Sequence, residues 1–253
     1  MTERDSYAPG TPSWIDLGTS DVAAAASFYS ELFGWDIPEG PPEAGGYRMC
    51  MLHDRPVAGL GPQQDTGRPP WWTTYISVHS ADETAAAIVA DGGTIVVPPM
   101  DVMDVGRMAV ALDPCGAAFS IWQPGTHAGA GLVNEPGTLC WNELSTRHPV
   151  EQVGFYTAVF DWEAVRTGDA HEYTEFRLHG QSVAGMMQIG PGFPPDMPES
   201  WSVYFAVADC DASAAKVTEL GGTVHLPPTD ITPGRFAVCA DPQGAMFQIM
   251  ARA

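Results

Sequence analysis

An α+β fold built from repeated strand–helix units is predicted by three observations. The chain repeats itself: "GTPSWIDLGT" at residues 10–19 returns as "GTLCWNELST" at 137–146, and 9 of 26 positions are identical when 10–35 is laid on 137–162. Each copy opens on a short, alternating, β-rich segment and passes into a segment of helical period. The 253 residues include 27 Gly and 23 Pro, and so many turn-formers suit numerous short strands better than long helices.

The elements follow in order. "SWIDLGT" reads as a strand. In "SDVAAAASFYSELFGW", Ala25, Phe28, Tyr29, Leu32 and Phe33 recur on one helical face. Ser20 or Asp21 can cap that helix and Gly34 can close it. The second copy uses Pro149 near the first turn, with Phe155, Tyr156, Val159 and Phe160 on the same face. "YRMCML" and "PVAGLGP" then read as strands. A second unit follows: strand "TTYISVHS", helix "ADETAAAIVADGG", and strands "TIVVPP", "RMAVAL" and "AAFSIWQ". Each half is therefore βαβββ twice, giving four modules with helices on one side of antiparallel-rich sheets. The repeat continues through "RPVAGL" and "QSVAGM", "GGTIVVPPMD" and "GGTVHLPPTD", and "GRMAVALDPCGAAFSI" and "GRFAVCADPQGAMFQI". The expected domains are 1–125 and 126–253, joined by the Gly/Pro/Asn-rich stretch 124–136.

Composition narrows the partners. With 11 Lys+Arg against 31 Asp+Glu the formal charge is −20, which repels phosphate backbones and anionic membranes, so neither nucleic acid nor membrane is an expected partner. The N-terminus lacks an apolar signal core and no 18-residue apolar run occurs, so the cytoplasm is the expected compartment. Five cysteines with no C-x-x-C pair read mostly as small buried residues.

The opening strands carry the chemistry of interest. Asp16 and Glu143 each stand two residues after a Trp, Trp14 or Trp141, and so share its face. A carboxylate there needs a partner or a raised pKa. Two readings stay open: an ion pair with Arg107 or Arg235 or a bond to backbone, or an acid able to exchange a proton near neutral pH.

The motifs "W-x-[DE]-L-x-T…FY…F-x-W", "VAG", "GG-T…PP-x-D", "GR-x-AV" and "DP-x-G-A-x-F" span nearly the whole chain. Their pattern resembles the vicinal oxygen chelate superfamily of glyoxalase I, extradiol dioxygenases and bleomycin-resistance proteins. More closely, it is similar to two-domain actinobacterial-type proteins labelled glyoxalase-like or hydroxylase. The resemblance implies two glyoxalase-like half-barrel domains, each a cup formed by paired modules. Metal-dependent members of that superfamily place His, Gln or Glu near the start of a module's first strand and an acid in its last strand. The matching positions here are Trp14, Tyr75, Trp141 and Tyr204, then Ser120 and Gln248. Only Gln248 among these is a fair ligand, so no metal and no other cofactor is expected. His53 and His179 read as turn residues, His127 and His148 fall in the linker and at a helix start, and His225 replaces Val96 of the first half.

A cup without metal is walled by rings: Trp14, Tyr75, Trp141 and Tyr204 from first strands, Trp122 and Met250 from last strands. These either plug the cup as core or receive a flat apolar ligand. Tyr47, Met49 and Met51 of the first half correspond to Tyr173, Glu175 and Arg177 of the second, which predicts a greasy cup and a polar one if that face lines them. Three functions follow. The first is metal-independent acid/base chemistry on an aromatic, polyketide-type small molecule (cyclisation, ketal formation, dehydration or isomerisation), with Asp16 or Glu143 as acid or base. The second is sequestration of an antibiotic or metabolite. The third is a glyoxalase-type metal lyase. Four modules in one chain complete the fold, which is compatible with a monomer.

Overall fold

The computed structural model describes residues 2–63, 67, 69–167 and 173–252. A short strand β1 (Thr2–Glu3) precedes the first half, which runs β2 (Pro12–Thr19), α1 (Val22–Phe33), β3 (Arg48–Leu52), β4 (Arg55–Pro62), β5 (Trp71–Ser77), α2 (Ala81–Ala90), β6 (Thr94–Val102), β7 (Gly106–Leu112) and β8 (Ala118–Pro124). After β9 (Leu132–Val133), the second half runs β10 (Leu139–Thr146), α3 (Pro149–Phe160), β11 (Glu163–Thr167), β12 (Tyr173–Leu178), β13 (Gln181–Gln188), β14 (Ser200–Ala206), α4 (Cys210–Glu219), β15 (Thr223–Ile231), β16 (Gly234–Ala240) and β17 (Met246–Arg252). No helix among the described residues is long and apolar enough to cross a membrane.

Caps set the helix limits. Asp21 accepts from the Ala24 N–H, and Gly34 closes α1 in the left-handed region at φ 73°. In the second half Pro149 opens α3, while Asp161 takes the left-handed closing position.

Each half forms one sheet. The first has strand order β3-β4-β2-β5-β8-β7-β6; the second has β11-β12-β13-β10-β14-β17-β16-β15. The opening strands of a half's two modules pair antiparallel at the centre, and each is flanked in parallel by the closing strand of its own module. Modules 1 and 2 therefore share a sheet, as do 3 and 4. The βαβββ expectation needs one amendment: in the first module the strand after the helix shrinks to a single bridge, Asp36 to Met51, where the second half has the full β11. Pro98 and Pro99, like Pro227 and Pro228, sit on outer strands, where a missing N–H costs least and further pairing is blocked.

The hydrophobic cores are not one per half. One gathers Ile15, Leu17, Phe28 and Phe33 of module 1 with Val203, Phe205, Val217 and Phe247 of module 4. The other gathers Ile76, Ile88, Phe119 and Ile121 of module 2 with Leu144, Phe155, Trp162 and Phe176 of module 3. The helix-bearing faces of the two sheets thus pack against each other, leaving both helix-free faces for other use.

Symmetric hydrogen bonds lock this junction. Tyr156 donates to Asp113 at 2.8 Å and Tyr29 to Asp241 at 3.3 Å, both fully inside the protein. Trp201 and Trp72 donate to those tyrosine oxygens at 2.8 and 3.1 Å. Trp35 donates to the Gly137 carbonyl and Trp162 to that of Gly10, each at 2.7 Å. The "FY", "F-x-W", "GT" and "DP-x-G" motifs are accounted for by these contacts between halves.

Tyr156→Phe would leave buried Asp113 short of a donor and Trp201 short of an acceptor, at a cost of about 1–3 kcal/mol. Urea unfolding should show the lower midpoint. Tryptophan fluorescence and far-ultraviolet dichroism should trace one coincident transition, because neither half owns its core.

Candidate functional site

The helix-free face of each sheet carries the same four-residue set. In the first half Trp14 Nε1 donates to the Tyr47 hydroxyl at 3.1 Å. The hydroxyls of Tyr75 and Tyr47 donate to Asp16 Oδ2 at 2.8 and 3.4 Å. In the second half Trp141 Nε1 donates to Tyr173 at 2.9 Å and Tyr204 donates to Glu143 at 2.8 Å. Tyr173 also bonds the Glu143 carboxylate. The register explains the convergence: Trp14 lies opposite Tyr75 and Trp141 opposite Tyr204 on the central strand pairs, with the acids two residues on.

Glycine makes room for the second tyrosine. Asp16 pairs in register with Gly59 and Glu143 with Gly185. A Cβ at Gly59 would overlap the Tyr47 hydroxyl, and one at Gly185 would overlap that of Tyr173. The glycine of the "VAG" motif is therefore the seat of the tyrosine that reaches the acid.

Burial and hydrogen bonding oppose each other at these carboxyls. Burial raises Asp16 to about 6, against the lowering effect of Tyr75, Thr73 and Tyr47. Burial likewise raises Glu143, opposed by Tyr204 and Tyr173. Burial pushes the Tyr75 and Tyr204 hydroxyls well above their ordinary value, so both remain donors. The arginine partners expected from sequence lie elsewhere. Arg107 pairs with Asp82 and Asp101, and Arg235 with Asp211 and Asp230, clamping the start of α2 or α4 to an outer strand. Those clamps explain the "GR" and "PP-x-D" motifs.

The expected site residues divide between the cups. Trp14, Tyr75 and Trp122 form one packed cluster, with Met49 and Met108 against it. Met51 does not join them; it is half-buried at the irregularity after Cys50. In the second cup Tyr204 and Met250 cluster with Trp141 and Phe236, and Gln248 lies beside Tyr204 in register with its buried Oε1 unpartnered. Glu175 and Arg177 pair with each other at 2.6 Å, and Glu175 also bonds Ser182. At the equivalent positions Met49 packs against the first aromatic cluster, while Glu175 and Arg177 form an ion pair in the second half. Tyr47 and Tyr173 were placed by the sequence on the face that could line the cups, but not as partners of the acids. Their signal was a tyrosine retained in both halves where "YRMCML" and "YTEFRL" otherwise diverge, facing a retained glycine.

The stretch 124–136 is more than a linker. β9 pairs with β1, and Ala130 and Val133 pack into the aromatic cluster of the first cup. His127 sets its ring edge-on to Trp14 at 4.5 Å, while its carbonyl accepts from Trp122 Nε1 at 2.9 Å. Tyr7 donates to the Ala130 carbonyl at 2.6 Å. The first cup is thereby filled by its own chain. Among the described residues the second cup's cluster contains strand residues only, and Trp141, Phe236 and the neighbouring Tyr173 stay half-buried.

Comparison with known proteins agrees with this architecture. Residues 11–121 match the Glyoxalase/Bleomycin resistance protein/Dioxygenase superfamily and residues 141–250 match the Glyoxalase-like domain. The chain belongs to this superfamily. It is 42% identical to CFP32 of Mycobacterium tuberculosis, which carries a glyoxylase label, over 99% of this chain and 98% of that one. It is 37% identical to the anthracycline biosynthesis protein DauV of Streptomyces sp. strain C5, over 96% and 94%. Among solved structures the Mn(II)-bound glyoxalase of Novosphingobium aromaticivorans shares the fold, with a TM-score of 0.68 at 15% identity, covering 96% of this chain and 82% of that one.

The cup residues do not fit such a metal. The positions that the resemblance implies for ligands hold Trp14, Tyr75 and Ser120, and in the second half Trp141, Tyr204 and Gln248. A divalent centre needs three or four converging N, O or S donors. Among the described residues the carboxylates there are already engaged: Asp16 and Glu143 accept hydrogen bonds from two tyrosines each, and Glu175 is paired with Arg177.

Asp16 binds its proton more tightly folded than unfolded, so it lowers stability above pH about 6 and ceases to do so as pH falls toward its unfolded value. Asp16→Asn should therefore stabilise the protein at pH 8 by up to ~3 kcal/mol, two pKa units' worth, with the gain fading between pH ~6 and ~4. Thermal melts of both proteins across that range check the sign.

Proposed function

We propose that this protein binds an aromatic, polyketide-type small molecule in its second cup and turns it over by metal-independent acid/base chemistry. The observation that carries the reading is the carboxyl of Glu143, buried on the face it shares with a tryptophan, without a cation partner among the described residues, and held by two tyrosines at the base of a ring-lined wall. Relatedness to anthracycline biosynthesis proteins over nearly the whole chain supports a polycyclic polyketide as the ligand class.

The proton inventory is short. Protonated Glu143 can give its proton to a ligand carbonyl or departing hydroxyl. The resulting carboxylate is stabilised by Tyr204 and Tyr173 and can recover a proton from a ligand C–H or O–H. Such a cycle is redox-neutral and serves cyclisation, ketal formation, dehydration or isomerisation. Trp141, Tyr204 and Phe236 offer flat apolar contact, and the Glu175–Arg177 pair and Gln248 offer polar groups to orient ring oxygens. The first cup, packed by residues 127–133, is the structural copy, although Asp16 retains the same constellation.

The test uses anthracycline aglycone-type polyketides, with binding followed by tryptophan quenching and conversion by chromatography. Glu143→Gln should lower kcat roughly 10²–10⁴-fold while ligand affinity is kept. Trp141→Ala should weaken binding by about 1 kcal/mol or more. Asp16→Asn should leave turnover intact. Full turnover in Glu143→Gln would sink the acid/base reading. Tight binding with no conversion by the unaltered protein would instead favour sequestration.

A further inference from the structure

Outside both cups, the β7–β8 turn of the first half meets the start of α3 in the second. There a Cys115 sulfur, a His148 ring nitrogen and a Glu199 carboxylate oxygen all lie within 4.8 Å of one another. Glu151 brings a fourth donor, with Oε2 3.4 Å from Cys115 Sγ, and His148 Nδ1 stands 3.1 Å from Glu199 Oε1. A tetrahedral zinc centre, with bonds of about 2.0–2.3 Å, has ligand–ligand edges of roughly 3.3–3.6 Å. Two edges of this group are already close to that length. Among the described residues it is the one convergence of three or more such donors.

The equivalent corner of the other half shows what this one has given up. There Gln243, the counterpart of Cys115, accepts from Thr19 Oγ1 at 2.6 Å, Ser20 Oγ at 2.8 Å and the Asp21 N–H at 2.8 Å, and donates to the Asp21 carbonyl at 2.9 Å. The amide seals the corner, and Asp21 caps α1. At the present corner Cys115 cannot do this. His148, the counterpart of Asp21, makes no side-chain cap bond to α3. Glu199 Oε2 is buried without a partner, on a side chain only 11% exposed. Metal-ligand side chains thus replace a satisfied amide network and leave a buried carboxylate oxygen unanswered.

Charge points the same way. Glu151 and Glu199 are joined by Asp113, two residues from Cys115, so the sulfur is surrounded by carboxylates. A divalent cation would offset that concentration of negative charge and favour the thiolate form of a coordinating cysteine. The guanidinium of adjacent Arg147 does not neutralise the acids, because it is turned to the carbonyls of Pro194, Pro195 and Met197. A surface cleft of about 370 Å³, lined by Arg147, His148, Glu151, Arg166 and Gln188 among others, borders the site on its His148 and Glu151 side.

We propose that Cys115, His148, Glu151 and Glu199 form a site for a zinc-type divalent ion that pins the two halves together at this corner. The site is independent of the cups, and its test reads metal rather than turnover. Titrating the full reduced chain with Co²⁺ should give a near-ultraviolet thiolate-to-cobalt charge-transfer band that saturates at one equivalent and is displaced by Zn²⁺. Cys115→Ser should lose the band, and Glu199→Gln should weaken binding at least about tenfold, since even outer partners of a ligand are worth that much. The other four cysteines are buried and serve as internal controls. The absence of a saturable band, or an undiminished band in folded Cys115→Ser, overturns the proposal. If that variant fails to fold, alkylation of the unaltered chain decides: Zn²⁺ protection of Cys115, located by peptide mass spectrometry, supports the site, and equal labelling with and without Zn²⁺ rejects it.

Discussion

The tyrosine of one half that reaches the turn aspartate of the other is the contact on which this architecture turns. Asp113 and Asp241 each accept backbone N–H groups of their own turns, from Cys115 and Ala117 and from Gln243 and Ala245. Those bonds shape the turn but leave a buried carboxylate oxygen, which Tyr156 or Tyr29 answers from across the junction. An unanswered oxygen there would cost more than an ordinary hydrogen bond gains. Each half is therefore completed by the other, and the helix-bearing faces are committed to this junction. The helix-free faces are relieved of holding the molecule together.

That division explains which residues duplication has kept. The motifs shared by both copies fall mostly at the junction, on the outer strands or in their clamps, where each change would disturb two halves at once. The Trp–Tyr–acid–Tyr set is shared too, yet it serves none of those purposes. Around it the copies have drifted. Met49 stands opposite Gly59 in the first sheet where Glu175 stands opposite Gly185 in the second, and Met108 and Trp122 are matched by Phe236 and Met250. The chain then uses residues 127–133 to fill one cup only. A single scaffold thus carries two copies of one chemical constellation in unlike surroundings.

The strands, helices and caps were legible because their causes are local: a period of two or 3.6, an Asp before a helix, a Gly or Pro at its end. The face shared by Trp14 and Asp16 was legible for the same reason. Three things were not. Arg107 and Arg235 were reasonable partners for buried acids, but an aspartate at the start of the preceding helix and another across the hairpin hold them instead. The pairing of modules into cups and the opposite pairing into cores depend on sheet order, which periodicity does not encode. Residues 124–136 have a linker's composition, yet their backbone N–H groups bond to Ser13 and Pro56, contacts distant in sequence.

The choice of tyrosine over arginine decides what the cup acids can do. A guanidinium beside a buried carboxylate contributes a full charge, holds the group ionised and depresses its pKa. Two phenol hydroxyls contribute only dipoles. They satisfy the oxygens geometrically, so the acid is tolerated on a buried strand, but they do not cancel the desolvation that favours the neutral form. The outcome at Asp16 is a carboxyl that titrates at about 6, with Glu143 raised for the same reason. The tyrosines themselves, pushed upward by burial and the neighbouring acid, cannot surrender their protons in return. In each set the carboxyl is the group whose pKa burial moves upward from the acid range, while the tyrosines are moved further from it. The glycine that seats the second tyrosine is consequently as much a part of that chemistry as the acid.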